Sequence, residues 1–190
     1  MRRSAILPTA ALALLLALPA AAQHPGPHAG QHRAQHGHTQ TAQPYAGLDG
    51  RRIKALSEED VAGLLAGRGM SLALAAELNG YPGPMHVLVH ADALGLTGRQ
   101  RATAEGLREH MAAEAQALGA RIVAMEEELD RLFAGGAADT GRLAALTASL
   151  GALNGRLREV HLATHIAMRD ALDPGQREAY ARLRGYAGMR

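Results

Sequence analysis

The chain has 190 residues, of which 47% are hydrophobic and only 3% aromatic, and it contains no cysteine. Its 20 Lys and Arg residues nearly balance its 18 Asp and Glu residues. These values exclude disulfide bonds and lipid attachment through cysteine. They also argue against a nucleic-acid-binding protein, which would carry a strong basic excess or a row of stacking aromatic side chains.

The first 22 residues are typical of a signal peptide. Arg2 and Arg3 supply positive charge, and residues 5–18 form an apolar run that is too short to span a bilayer with ease. Small residues follow Pro19, and we expect cleavage near Ala22. A retained membrane anchor is the alternative. Cleavage removes two of the 20 basic residues, so the mature chain has 18 basic and 18 acidic residues and is expected to be a periplasmic protein.

A histidine-rich tail, residues 23–52, comes next and is expected to be disordered because it has almost no large apolar side chains to bury. Five of the ten histidines lie within fifteen residues of this tail, at His24, His28, His32, His36 and His38. Neighbouring prolines and glycines oppose a helix there. The pattern therefore predicts a flexible set of imidazoles that binds Zn, Cu or Ni ions, with a plain solvated linker as the alternative.

The exact cleavage site decides whether a second type of metal site exists in the tail. A cut after Ala21 would leave Ala22-Gln23-His24 at the amino terminus. The free amine, two amide nitrogens and the imidazole could then form a square-planar site for Cu(II) or Ni(II). The cut after Ala22 removes this possibility.

Residues 53–190 are rich in helix-forming side chains and predict one all-α domain. Ser57 is the expected cap of a first short helix that ends near Gly67. A second short helix is predicted within residues 70–80, and a third within residues 85–94, entered through Pro84.

Two long amphipathic helices follow, separated by the glycine-rich residues 134–140. Their apolar residues recur at spacings of three, four and seven, so they should pack as a long antiparallel hairpin. The expected core positions are Leu107, Met111, Leu118, Ile122, Met125, Leu129 and Leu132 in the first helix, and Leu143, Leu146, Leu150, Leu153, Leu157, Val160, Thr164 and Ala167 in the second. A last short helix is predicted from Pro174 to Tyr186.

Two stretches share one pattern, "LTGRQ" at 96–100 and "LDPGQ" at 172–176. In each, an apolar residue precedes an oxygen-bearing cap, and a glutamine follows three residues later, which predicts a capping box at the start of a helix. The residues concerned are Leu96, Thr97 and Gln100 in the first stretch, and Leu172, Asp173 and Gln176 in the second.

This arrangement resembles the LTxxQ-motif family of exported helical proteins, the Spy/CpxP and ZraP-like group. The resemblance covers roughly residues 57–186, and its second motif departs from the pattern at Asp173 and Pro174. It implies a small periplasmic stress-response protein, commonly a cradle-shaped homodimer. Such proteins bind metal ions, hold unfolded clients without ATP, or restrain a membrane sensor.

Two histidine pairs in the helical region have the spacing that lets two imidazoles share one ion. They are His161 and His165, and, as the weaker candidate, His86 and His90. A two-histidine site needs further ligands, for which His110, Glu114, Met85 and Met168 are the candidates. The alternative is that these histidines lie at the boundary of the core and bond to backbone or carboxylate groups.

An enzyme is not expected, because no nucleophile elbow or phosphate-binding glycine loop occurs. Two functions remain. In the first, the protein is a metal-binding or metal-responsive protein with the tail as ligand and the helical domain as scaffold, and no organic cofactor. In the second, it is a chaperone whose clients bind an apolar face that includes Met70, Leu72, Leu74 and Met85, although the methionines can equally fill the core.

Overall fold

The computed structural model describes residues 43–186, and within them it contains α-helices and one short 3-10 helix, Leu48–Gly50, but no strand. The α-helices are α1 (Glu58–Leu65), α2 (Leu74–Glu77), α3 (Pro84–Val89), α4 (Gly98–Ala134), α5 (Thr140–Ala171) and α6 (Pro174–Leu183). The prediction of an all-α chain with a long helical hairpin is confirmed. The predicted signal peptide and the tail histidines lie outside the described residues.

The short second helix is smaller than the sequence predicts. Only four residues of the expected 70–80 run form α2, because Met70 and Ser71 adopt positive φ angles of 41° and 64°, which an α-helix cannot contain. Gly80, with φ of 84°, ends the segment as expected. The third helix also stops early, at Val89.

The hairpin of α4 and α5 forms the body of the domain. Asp139 accepts hydrogen bonds from the backbone N–H groups of Gly141 and Arg142 and so caps α5 just after the turn. The buried residues between the long helices and α1 are mostly those that the periodicity predicts. They include Leu118, Ile122, Leu150, Leu153, Leu157 and Val160, and Ile53 and Leu64 join them from the preceding segment.

Helix α1 lies unusually close to α4. An ideal Cβ placed on Gly119 would lie 2.0 Å from the carbonyl oxygen of Leu64. Only a glycine allows this approach, because any Cβ there would overlap the backbone of α1. Gly119 is therefore the point on α4 against which α1 packs.

A second buried cluster is formed by α3, α4, α5 and α6, in a part of the hairpin away from the first cluster. It contains Val87, Leu94, Ala104, Met168, Leu172 and Tyr180. The candidate site described next adjoins this cluster. Over residues 43–186, no helix is long and apolar enough to cross a membrane.

Candidate functional site

Both predicted capping boxes are present, and each begins a helix. At the start of α4, the Thr97 hydroxyl accepts from the N–H of Gln100 at 3.2 Å, and the Gln100 side chain accepts from the N–H of Thr97 at 3.0 Å. At the start of α6, Asp173 and Gln176 make the same two bonds at 2.8 and 3.0 Å. The substitution of Asp173 for the threonine thus preserves the box.

The two motif glutamines bind each other, which sequence reasoning did not predict. Gln100 donates from Nε2 to Gln176 Oε1 at 2.7 Å, and Gln176 donates back to Gln100 Oε1 at 3.1 Å. Gln100 also donates to the carbonyl of Ala171, and Gln176 to the carbonyl of Leu94. The two motifs therefore join the starts of α4 and α6 to the end of α5 in one hydrogen-bonded unit.

One histidine of each predicted pair lies near a buried carboxylate, that of Glu77 at the end of α2. His165 Nδ1 lies 3.6 Å from Glu77 Oε2, and His86 Nδ1 lies 3.7 Å from Glu77 Oε1. The His90 ring meets the Tyr180 ring edge-on, with 6.5 Å between centroids. The structure thus brings residues from α2, α3, α5 and α6 into a single polar cluster.

Glu77 itself was not recognised from the sequence. Its Oε1 accepts from the hydroxyls of Tyr180 at 2.5 Å and Tyr186 at 2.9 Å, and its Oε2 accepts from the N–H of Gly83 at 3.0 Å. The Arg184 guanidinium lies 3.6 Å away. The one signal was a lone acidic residue within the apolar run 72–78, where a solvated helix face would show more polar residues.

His165 is buried and its tautomer can be deduced. Its Nδ1 lies 2.7 Å from the carbonyl oxygen of Tyr81, which can only accept, so Nδ1 carries a hydrogen, and in the neutral imidazole the lone pair is on Nε2. Gly83 makes room for this ring, since a Cβ there would lie 3.0 Å from His165 Nε2.

His161 does not fit the alternative interpretation, in which it lies at the boundary of the core and bonds to a backbone or carboxylate group. Its side chain is only 2% exposed, and its Nε2 has no hydrogen-bond partner among the described residues. Burial, and secondarily the nearby His165, lower the pKa of His161. Burial, followed by the charge of Arg184, also lowers the pKa of His86. Both imidazoles are therefore biased towards the neutral form that binds metal ions.

The remaining candidate ligands do not all join the cluster. His110 is exposed on α4 beside Glu114, at 3.4 Å. Met85 is exposed, whereas Met168 is fully buried on α5, three residues after His165. Within residues 43–186, no group of three or more His, Asp or Glu side chains is arranged to hold one ion.

The apolar side chains considered for client binding are largely exposed. Met70 is 42% exposed, Leu74 49% and Met85 55%, while Leu72 is half-buried. The interpretation of Met70 and Met85 as core residues is therefore wrong. The segment from Met70 to Val89 also exposes Leu78 and Val89, so large apolar side chains are concentrated in this part of the described chain.

Comparisons of the chain with protein-family models, with curated proteins and with solved structures gave no match.

Proposed function

We propose that the protein is an exported metal-binding or metal-responsive stress protein, in which the histidine-rich tail binds Zn, Cu or Ni ions and the helical domain is the scaffold. The observation that carries this proposal is the set of five histidines within residues 24–38. Neutral imidazoles are good ligands for these three metals, and several of them on a flexible chain can wrap around one ion. The pairing of Gln100 with Gln176 supports the choice of scaffold, because it gives both LTxxQ-like motifs one shared structural role.

Calorimetric titration with Zn, Cu(II) and Ni tests whether the tail of the mature protein binds metal ions. The parent is compared with a variant in which all five tail histidines are replaced by Ser, which keeps the length of the tail. We expect saturable binding in the parent and at least a tenfold weaker affinity in the variant. His110→Gln is the matched control, since it removes an exposed histidine of the helical domain and should leave tail binding unchanged. Equal binding by the parent and the tail variant would exclude the tail as the ligand.

A second candidate function is that of an ATP-independent chaperone for unfolded proteins. The observation that favours it is the exposure of Met70, Leu74, Leu78, Met85 and Val89 within one short segment. Exposed apolar surface of this kind is typical of interaction sites, and methionine side chains adapt to varied partners. Restraint of an envelope-stress sensor and assembly as a homodimer would use the same fold.

Suppression of the aggregation of a chemically unfolded client measures this activity. Replacing Leu74 and Val89 by Ser should reduce suppression with little change in stability, because both side chains are already exposed. Ile166→Ser on α5 is the matched control, since it removes from a different helix an apolar side chain that is about as exposed as Leu74. If the Ile166 variant loses as much activity as the double variant, the segment is not a specific client site.

A further inference from the structure

We propose that His161 and His165 form a second, internal metal site that takes a soft monovalent cation of the Cu(I) or Ag(I) type. This site lies in the helical domain, is separate from the tail, and differs from it in the class of metal bound. The inference shares with the proposed function only the premise that the protein meets metal ions.

The first observation is the state of His161. Its imidazole is 2% exposed, and its Nε2 is a buried polar atom without a hydrogen-bond partner. Such an atom destabilises the folded protein when nothing satisfies it. A metal ion would supply the missing interaction to a group that packing alone leaves unsatisfied.

The second observation is the orientation of His165, which is one helical turn further along α5. Its Nδ1–H donates to the Tyr81 carbonyl, which fixes the ring, and in the neutral imidazole this leaves the lone pair on Nε2. A backbone carbonyl that holds the far nitrogen in this way is the usual support of a metal-binding histidine. The two imidazoles are four residues apart, so they lie on the same face of the helix.

The choice of metal follows from the charge and number of the ligands. The pair offers two neutral nitrogens, and no cluster of three His, Asp or Glu ligands exists in the part of the chain described. The nearest carboxylate, Glu77, already accepts from Tyr180, Tyr186 and Gly83 and lies next to Arg184. Because the cost of burying an ion rises with the square of its charge, a monovalent ion fits this environment better than a divalent one.

The surroundings of the two histidines also favour a soft metal ion. Met168 is fully buried on the same helix, three residues beyond His165 and therefore on the same face. A thioether favours Cu(I) over harder ions, and imidazole also binds copper. Ag(I), like Cu(I), has a filled d shell, and it resists oxidation in air, so it is the practical probe.

The experiment uses the full mature chain with its five tail histidines replaced by Ser, titrated with silver nitrate in chloride-free buffer and followed by calorimetry. We expect one saturable equivalent of Ag(I) in this parent, and its loss in His161→Leu. His110→Leu is the matched control and should bind as the parent does, because His110 is exposed on α4 and separate from the pair. Circular dichroism and the melting temperature establish that each variant is folded.

A second variant leaves both ligands in place. Gly83→Ala puts a Cβ 3.0 Å from His165 Nε2, so the ring must move, and the affinity for Ag(I) should fall at least tenfold. The proposal is overturned if the parent takes up no Ag(I), or if a folded His161→Leu binds as tightly as the parent. Because the tail histidines are absent here, these results are independent of whether the tail binds Zn, Cu(II) or Ni.

Discussion

The close contact between α1 and α4 gives the sharpest prediction, for the substitution Gly119→Ala. The added Cβ would lie 2.0 Å from the carbonyl oxygen of Leu64 and 2.6 Å from its carbonyl carbon. An ordinary contact begins at 3.4 Å, so α1 must retreat from 2.0 to 3.4 Å, by about 1.4 Å. A backbone cannot rotate away as a side chain can, and the displacement therefore affects every contact that α1 makes with α4.

Two opposing terms set the size of the effect. Overpacking in a core costs about 1–3 kcal/mol, and a retreat of more than 1 Å places this case at the upper end. Replacing a helical glycine by alanine stabilises the helix by about 1 kcal/mol. We therefore expect Gly119→Ala to lower the free energy of unfolding by about 2 kcal/mol, and the melting temperature by about 6 °C.

The matched control is Gly106→Ala in the same helix. Gly106 is exposed, and a Cβ there would meet nothing within 4 Å. This variant should gain the helix stabilisation without the clash, so its free energy of unfolding should rise by about 0.5–1 kcal/mol. Urea unfolding monitored by circular dichroism measures both changes. If Gly119→Ala is as stable as Gly106→Ala, the close approach of α1 and α4 is wrong.

Three further predictions concern hydrogen bonds. Gln100→Leu and Gln176→Leu should each lower the free energy of unfolding in urea by about 2 kcal/mol, because removing one glutamine leaves the other without its partner. The double variant should therefore lose at least ~1 kcal/mol less than the sum of the two single losses. Additive losses would contradict the pairing. Tyr180→Phe should lower the free energy of unfolding by about 2 kcal/mol, since it removes a donor to the buried Glu77 carboxylate, and an unchanged urea midpoint would argue against that bond. Hydrogen bonds from Ser57 lower the pKa of Asp60 below its ordinary 3.8. The ionised Asp60 carboxylate therefore stabilises the folded protein above pH 3.8, and this stabilisation is lost as the pH falls through the lowered pKa. Asp60→Asn should remove this part of the acid dependence. If the parent and the variant lose the same free energy of unfolding between pH 6 and pH 2, the prediction is wrong.

The helical hairpin was predictable because its signals are local. Spacings of three, four and seven identify the buried faces of α4 and α5, and the capping boxes locate the starts of α4 and α6 within a residue. The short helices were predicted less well. Nothing in the composition of residues 70–80 indicates that Met70 and Ser71 adopt positive φ, because residues other than glycine rarely take this conformation.

The candidate site shows the same division between local and long-range information. Sequence spacing alone identified the histidine pairs, the glutamines and the caps, because each depends on residues within one or two turns. The sequence could not indicate that Glu77 lies beside His165, or that Gln100 meets Gln176. The two residues of each pair are separated by 76 or more residues and meet only once the hairpin has formed. His161 is the clearest case. The sequence allowed it to lie at the boundary of the core, and only the packing of neighbouring segments against α5 buried its ring and left its Nε2 without a partner among the described residues.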